Sequence, residues 1–319
     1  MKLIIKCTSW ICATWALVLL VTLTWVRPNP AIGADKAIVV NFPKPPVGRY
    51  GIIKPAPNPD DDVILRSNEW ATGAVKVPAG CFLSLSINFY GSQNTKFMST
   101  LPSGIVRNLS CRDLEVGDKA VADLCTQKDL VLLNLQGIDL TDEGVKHLSV
   151  LKKLRKLSIC DTLVTAKGLS VLRNLPQLEN LNLARLTLGE AVDAPLQSLK
   201  NLTVLELTGT QLTDKAVIDL PYLPKLQTLV LRRNNLTDKC IESLYKYKTL
   251  QNLDFTDTHV TGEGLKRLKG LPNLHRITIR TKVLKLADRA QLKKLMPRLK
   301  IEEGSRESIV PTEIFAPLH

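Results

Sequence analysis

Apolar residues between Val106 and Ile301 fall on a ladder with a period of 24 residues. Its first rungs are Val106, Leu130, Leu154, Leu178, Leu202, Leu226, Leu250 and Leu274, and no insertion interrupts them. In each unit the first, fourth and sixth positions are apolar, as in Leu202-Thr-Val-Leu205-Glu-Leu207 and Leu226-Gln-Thr-Leu229-Val-Leu231. The alternation at positions four and six predicts a short strand with one buried face. Position nine is often Thr or Asn (Thr162, Thr210, Asn234, Thr258), able to hydrogen-bond loop backbone, and position eleven is apolar again from Leu140 to Leu284. Thr-Asp at Thr141-Asp142, Thr213-Asp214 and Thr237-Asp238 then predicts a helix start, with Thr as N-cap and the acid at the positive end of the helix dipole. A small residue follows (Gly144, Gly168, Ala216, Cys240, Gly264), which would let helix approach strand, and apolar residues at spacing three complete the buried side. One such unit cannot cover its own apolar face, but eight in a stack can, so the pattern predicts a solenoid.

Two units depart from the rule. In the unit beginning at Leu178, Gly189-Glu190 replaces Thr-Asp and Pro195 falls inside the expected helix, which predicts a shortened turn. The last unit loses the pattern after Leu284 and resumes at Leu299-Lys-Ile301, read as a closing strand, with 302–319 as a tail.

Upstream of the array the pattern changes three times. Residues 1–34 hold a basic start (Lys2, Lys6) and an uncharged run from Cys7 to Val26, long enough to span a bilayer. Two fates fit it: a signal peptide cleaved after Ala34, leaving a secreted or periplasmic protein, or an N-terminal transmembrane helix anchoring the chain in the cell envelope. Residues 35–69 are rich in proline and end near Asp60-Asp61-Asp62, the composition of an extended linker. Within 70–105, Gly73–Val77 and Phe82–Phe89 alternate apolar and polar around a Pro78-Ala79-Gly80 turn. That reads as a β-hairpin capping the open first edge of the array.

The motif L-x-x-L-x-L-x-x-T-x-L-T-D-x-G-L carried by units 106–301 resembles the leucine-rich repeat superfamily. More narrowly, it is similar to the cysteine-containing subtype found with F-boxes, in bacterial versions where Thr stands for Cys. The resemblance implies an α/β fold: a right-handed horseshoe solenoid with a concave parallel β-sheet, convex helices and a protein partner on the concave face. Eukaryotic relatives of that subtype select substrates beside an F-box. This chain shows no F-box-like segment, which leaves substrate recognition without the F-box as one alternative.

Composition sharpens where a partner would dock. The formal charge is +13, and twelve Lys or Arg lie between Gly264 and Lys300 against Asp288 alone. Lys293, Lys294 and Arg298 mark that basic end, which is either a solvated cap or a patch for an anionic surface such as lipid, polysaccharide or nucleic acid. No specific nucleic-acid motif accompanies it. Concave-facing positions are the third, fifth and seventh of each unit, with the eighth at the rim. In the second half they bring together Glu206, Arg232, Arg233, Asp254, Asp257, Arg276 and Arg280. Such a strip either recognises a partner through Arg forks or satisfies itself across neighbouring strands. Histidines are four, with no cluster of Cys and His at metal spacing, and no catalytic triad, phosphate-binding loop or paired-carboxylate motif stands out. Neither cofactor nor metal nor enzymatic activity is expected. Cys111 and Cys240 occupy core or small-residue positions and read as buried thiols, while for Cys81 two states stay open, a free thiol or a disulfide to Cys111 or Cys125 across the N-terminal cap.

Overall fold

The computed structural model describes residues 36–57, 59–280 and 284–304, so the leader at 1–34 and the tail from 305 lie outside the described residues. Among the described residues no helix is long and apolar enough to cross a membrane. Among the described residues twelve strands form one sheet and two more form another. Chain order first gives β1 (Ile38–Phe42), β2 (Gly48–Lys54), β3 (Val63–Trp70), β4 (Gly73–Val77) and β5 (Phe82–Ile87). The repeat strands follow: β6 (Val106–Ser110), β7 (Leu132–Asn134), β8 (Lys156–Ser158), β9 (Asn180–Asn182) and β10 (Val204–Glu206). The array ends with β11 (Thr228–Val230), β12 (Asn252–Asp254), β13 (Arg276–Ile279) and β14 (Lys300–Glu303).

From β6 to β14 every pairing is parallel and in register. Leu109, Leu133, Leu157, Leu181, Leu205, Leu229, Leu253, Ile277 and Ile301 face one another in a single row. A constant 24-residue step enforces this, because a one-residue slip would turn each leucine to the other face. Those leucines, with positions one, six and eleven, make a continuous core in which nearly every member is excluded from water. Opposite the sheet stand short helices and 3-10 turns. Asp118–Leu124, Asp214–Asp219 and Gly262–Arg267 are α-helical, whereas Gly144–Val150, Gly168–Asn174 and Asp238–Lys246 are 3-10. The tighter 3-10 winding replaces the expected α-helix where few residues must return the chain to the next strand. As the proline predicts, Asp193–Leu196 is a single four-residue turn.

Position nine does what its composition implies. Thr162, Thr210 and Thr258 donate to the carbonyls of Ile159, Leu207 and Phe255, and Asn234 spans two repeats by accepting from Thr210 N and Leu212 N while donating to Leu207 O. The Thr-Asp pairs do more than cap. Thr237 Oγ1 accepts from Lys239 N at 3.3 Å, yet its hydroxyl and amide also donate to Asp214 of the preceding unit at 2.6 and 2.8 Å. The same clasp links Asp118 to Thr141, Asp142 to Thr165 and Asp238 to Thr261, with Glu190 substituting toward Thr213. This revises the role of the small residues. A Cβ on Gly144, Gly168 or Gly264 would lie 2.0–2.3 Å from the clasping carboxylate of Asp118, Asp142 or Asp238, so these glycines make room for an acid rather than for a strand.

Two expectations are corrected. Residues 35–69 are not a bare linker: β1, β2 and β3 lie there, because the prolines fall between strands (Pro43, Pro45, Pro46; Pro55, Pro57, Pro59) and not within them. Nor do the strands around Pro78-Ala79-Gly80 form a hairpin. β4 pairs with β1, while β5 is taken on one side by β2 and on the other, in parallel, by β6. Cys81, Cys111, Cys125, Cys160 and Cys240 are all buried free thiols, so of the two states open to Cys81 the free thiol is the one present. The closing strand is present as β14, which takes Glu302 and Glu303 out of the tail.

Candidate binding face of the parallel sheet

Two surfaces flank the core on the sheet side: the inner wall, built by positions three, five and seven, and the rim, built by position eight. The rim has an invariant backbone. Asp113, Gly137, Asp161, Arg185, Gly209, Arg233 and Asp257 all have φ between +51° and +67°. This left-handed turn lets each of the first six donate its amide to the carbonyl one position earlier in the next unit, as in Arg185 N to Thr208 O at 2.8 Å and Gly209 N to Arg232 O at 2.9 Å. It extends the ladder one step past the strand. Only glycine enters that region at no steric cost, so five non-glycine rim residues hold it against strain.

The chain itself touches the N-terminal part of the inner wall. Residues between β2 and β3 meet the strand starts: Lys156 Nζ pairs with Asp60, Arg155 Nη1 donates to Pro57 O at 3.4 Å, and Arg107 Nε bonds Asp62 at 3.0 Å. Lys156, a wall residue, is 6% exposed. A proline-rich stretch read as a solvated spacer thus packs against the start of β6 and β8.

The C-terminal half divides differently. Of the seven candidates, Glu206, Arg232 and Asp254 are buried, at 2%, 1% and 0% exposure, and cannot present their charges to a partner. Asp254 accepts from Thr256 N at 2.8 Å and faces Arg232 Nε at 3.8 Å; burial raises its pKa above the usual carboxylate value. Glu206 accepts from Thr208 N at 2.9 Å and from the Thr208 hydroxyl. The other four are accessible. Asp257 is pinned between Arg280 and Arg233, and chiefly the hydrogen bond from Arg280 holds its carboxyl below the ordinary range. Arg276 lies 3.4 Å from Glu302. The strip is therefore largely self-satisfied, one of the two readings its composition allowed.

One break interrupts the rim. Arg185 bonds Asp161 at 2.8 Å, Arg233 lies 3.5 Å from Asp257, and between them stands Gly209 with no side chain. Both arginines are about half exposed. Two arginines thus flank a bare backbone position, two strand spacings of about 4.8 Å from one another along the rim, with their guanidinium groups drawn outward to Asp161 and Asp257. Arg185 is an eighth-position residue by the repeat spacing, but the gap is visible only when the eighth positions are aligned as a column.

Lys293, Lys294 and Arg298 are exposed in and just after the last helix, Leu286–Leu295, away from the rim. That helix buries Leu292 while Leu286 and Leu295 stay exposed at 86% and 46%. Among the described residues no group of His, Cys, Asp or Glu could hold a metal ion.

This architecture, a stacked parallel sheet backed by short helices with an Asn/Thr column at position nine, is that of a leucine-rich repeat solenoid. The family model described as "Leucine Rich repeat" matches residues 198–220, 222–244 and 248–269. Two solved structures share the fold, both from Listeria monocytogenes str. 4b F2365. An internalin (inlF) is 22% identical with a TM-score of 0.50, covering 70% of this chain and 59% of that one. An internalin C2 (inlC2) is 21% identical with a TM-score of 0.51, covering 67% of this chain and 92% of that one. The chain thus spans less than two thirds of the first of these. No curated protein matches the sequence. The chain carries leucine-rich repeats and folds as their solenoid.

Proposed function

We propose that this is a non-enzymatic docking protein, exported or envelope-anchored through residues 1–34, whose concave face binds a protein partner over the C-terminal half of the array. The observation that carries the reading is the gap at Gly209. A partner's carboxylate set there meets no side chain at that position and lies between Arg185 and Arg233, while at the other half Pro57, Asp60 and Asp62 already engage Arg155, Lys156 and Arg107 at the start of β8 and β6. Asp161 and Asp257 hold the two guanidinium groups on the sides away from Gly209, so a bound carboxylate draws them inward in competition with these exposed pairs, which contribute roughly 0–1 kcal/mol each. Rim charges act mainly on encounter rate and salt dependence.

The test begins with proximity labelling from intact cells to supply the partner, followed by affinity measurement on purified proteins. Arg185→Glu with Arg233→Glu should weaken binding by about tenfold or more, the equivalent of at least ~1.4 kcal/mol. Unchanged affinity would remove the assignment. A second reading has its own observation, the exposed Leu286, Leu295, Lys293, Lys294 and Arg298 on the terminal helix, which fit an anionic lipid or polysaccharide surface. Attachment by that route falls steeply with ionic strength and is lost in Lys293→Glu, Lys294→Glu, Arg298→Glu, which should leave the rim complex intact.

A further inference from the structure

The inner wall over β11 to β13 is more deeply enclosed than an open sheet face allows. Val230, Asp254, Thr256 and Thr278 stand at its fifth and seventh positions, and none is more than 1% exposed. At the two ends of the seventh-position column, by contrast, the Arg112 and Arg280 side chains are 47% and 51% exposed. Neighbouring strands screen a side chain from its flanks but not from above, and parallel sheets are as a rule covered on both faces. Thr256 Oγ1 and Thr278 Oγ1 are buried on this wall with no hydrogen-bond partner among the described residues, and buried polar atoms call for one.

The end of β14 turns onto this wall. Gly304 follows that strand and donates its amide to Ile279 O at 3.0 Å, which sets it beside Arg280 in the ladder. Thr256 belongs to β12, one strand further in. Yet a Cβ on Gly304 would stand 2.1 Å from Thr256 Oγ1 and 2.4 Å from its Cγ2. At Gly304 the chain has therefore bent inward over β13 and onto the concave side, and only a residue without a side chain comes that close.

We infer that residues 305–319 continue that path, lying across the inner wall from β12 toward β9 as an intramolecular occupant of the concave face. Length permits it: three strand spacings make about 14 Å, against roughly 50 Å for the segment fully extended. Composition suits it too. Ile309, Val310, Ile314 and Phe315 supply apolar side chains for a wall that carries Val204 and Val230. Glu307 and Glu313, against Arg306 alone, match a face rimmed by Arg185 and Arg233. Pro311 and Pro317 favour an extended backbone without ladder partners, which is what a chain running across strands requires. A protein docking on this face has to displace the segment, a consequence that rests on the docking reading above.

Photo-crosslinking in the full chain tests this without any partner. With Phe315→benzoylphenylalanine, irradiation and peptide mass spectrometry should join residue 315 to peptides from 180–233, the span of β9 to β11. Gly304→Val has no room against Thr256 and should lower that yield severalfold. Adding Thr256→Gly, which vacates the space, should restore it; a variant that merely misfolds shows no such recovery. Crosslinks confined to the terminal helix Leu286–Leu295, where Leu286 and Leu295 are exposed, would overturn the inference. So would the absence of any crosslink within the chain, a Gly304→Val yield equal to the native one, or a double variant that does not recover. With the partner recovered from cells, Gly304→Val should bind about tenfold more tightly if the segment covers the wall roughly nine-tenths of the time. Wall crosslinks together with unaltered affinity would support the intramolecular occupant and count against the docking reading instead.

Discussion

Replacing Gly264 by alanine sets two magnitudes against each other. Gly264 lies in the helix Gly262–Arg267, where glycine-to-alanine gains up to about 1 kcal/mol in helix propensity. The new Cβ, however, would sit 2.1 Å from Asp238 Oδ1 of the preceding repeat. That carboxylate cannot step aside freely, because it accepts from Thr261 N at 2.8 Å and from Thr261 Oγ1 at 2.6 Å. Hydrogen bonds to a charged acceptor contribute roughly 1.5–3 kcal/mol each, less where water reaches the group, so displacing the pair costs about 2–4 kcal/mol. The net expectation is a loss of ~1–3 kcal/mol for Gly264→Ala. In an Asp238→Ala background the obstacle is gone, and the same substitution should then be neutral or stabilising by up to ~1 kcal/mol. Urea unfolding of the native chain, both single variants and the double variant, followed by circular dichroism, measures the coupling. If Gly264→Ala stabilised the native chain, or destabilised both backgrounds equally, the carboxylate clasp would not be what holds consecutive units together.

Other expectations follow from the buried and charged groups. Burial pushes the Cys125 and Cys240 thiols up to about 12, and Cys111 and Cys160 up as well, so these thiols should resist a soluble thiol reagent in the native protein and react only after urea unfolding. Fast reaction without urea would mean the core opens. Asp257 is depressed in the folded state, so its contribution to stability is present above the unfolded carboxylate value and is lost as pH falls through the folded value. An NMR titration should find Asp257 below an ordinary aspartate, and Arg280→Ala should move it up; no movement would show that Arg280 is not its principal partner. Asp257→Asn should cost little at neutral pH, since exposed pairs contribute roughly 0–1 kcal/mol.

Much of the array was legible because a solenoid repeats one physical problem. The leucines of positions one, four and six needed only a constant step to fall into register, and Pro195 announced the shortened turn at Asp193–Leu196. Single-chain pattern fails where partners are distant. Gly73–Val77 and Phe82–Ile87 look like a hairpin because a Pro-Ala-Gly turn joins them, yet β5 pairs with β2 and β6, strands its own neighbourhood does not reveal. The prolines of 43–59 masked strands because composition was averaged over connections and strands together. Asp in Thr-Asp was assigned to its own helix, while its hydrogen bonds go to Thr in the next unit, 23 residues away. At the site, charge type was visible but not depth: Arg232 and Arg233 are neighbours in sequence, yet one is buried in the wall and the other stands on the rim.

Hydrogen exchange of the full chain with and without the partner recovered from cells bears most directly on where docking occurs. Protection should concentrate around 182–185, 204–209 and 228–233, the strand ends that flank Gly209, with amides over β6 to β8 unchanged. Protection confined to 286–300 would rule out the concave face and move the binding surface to the basic end.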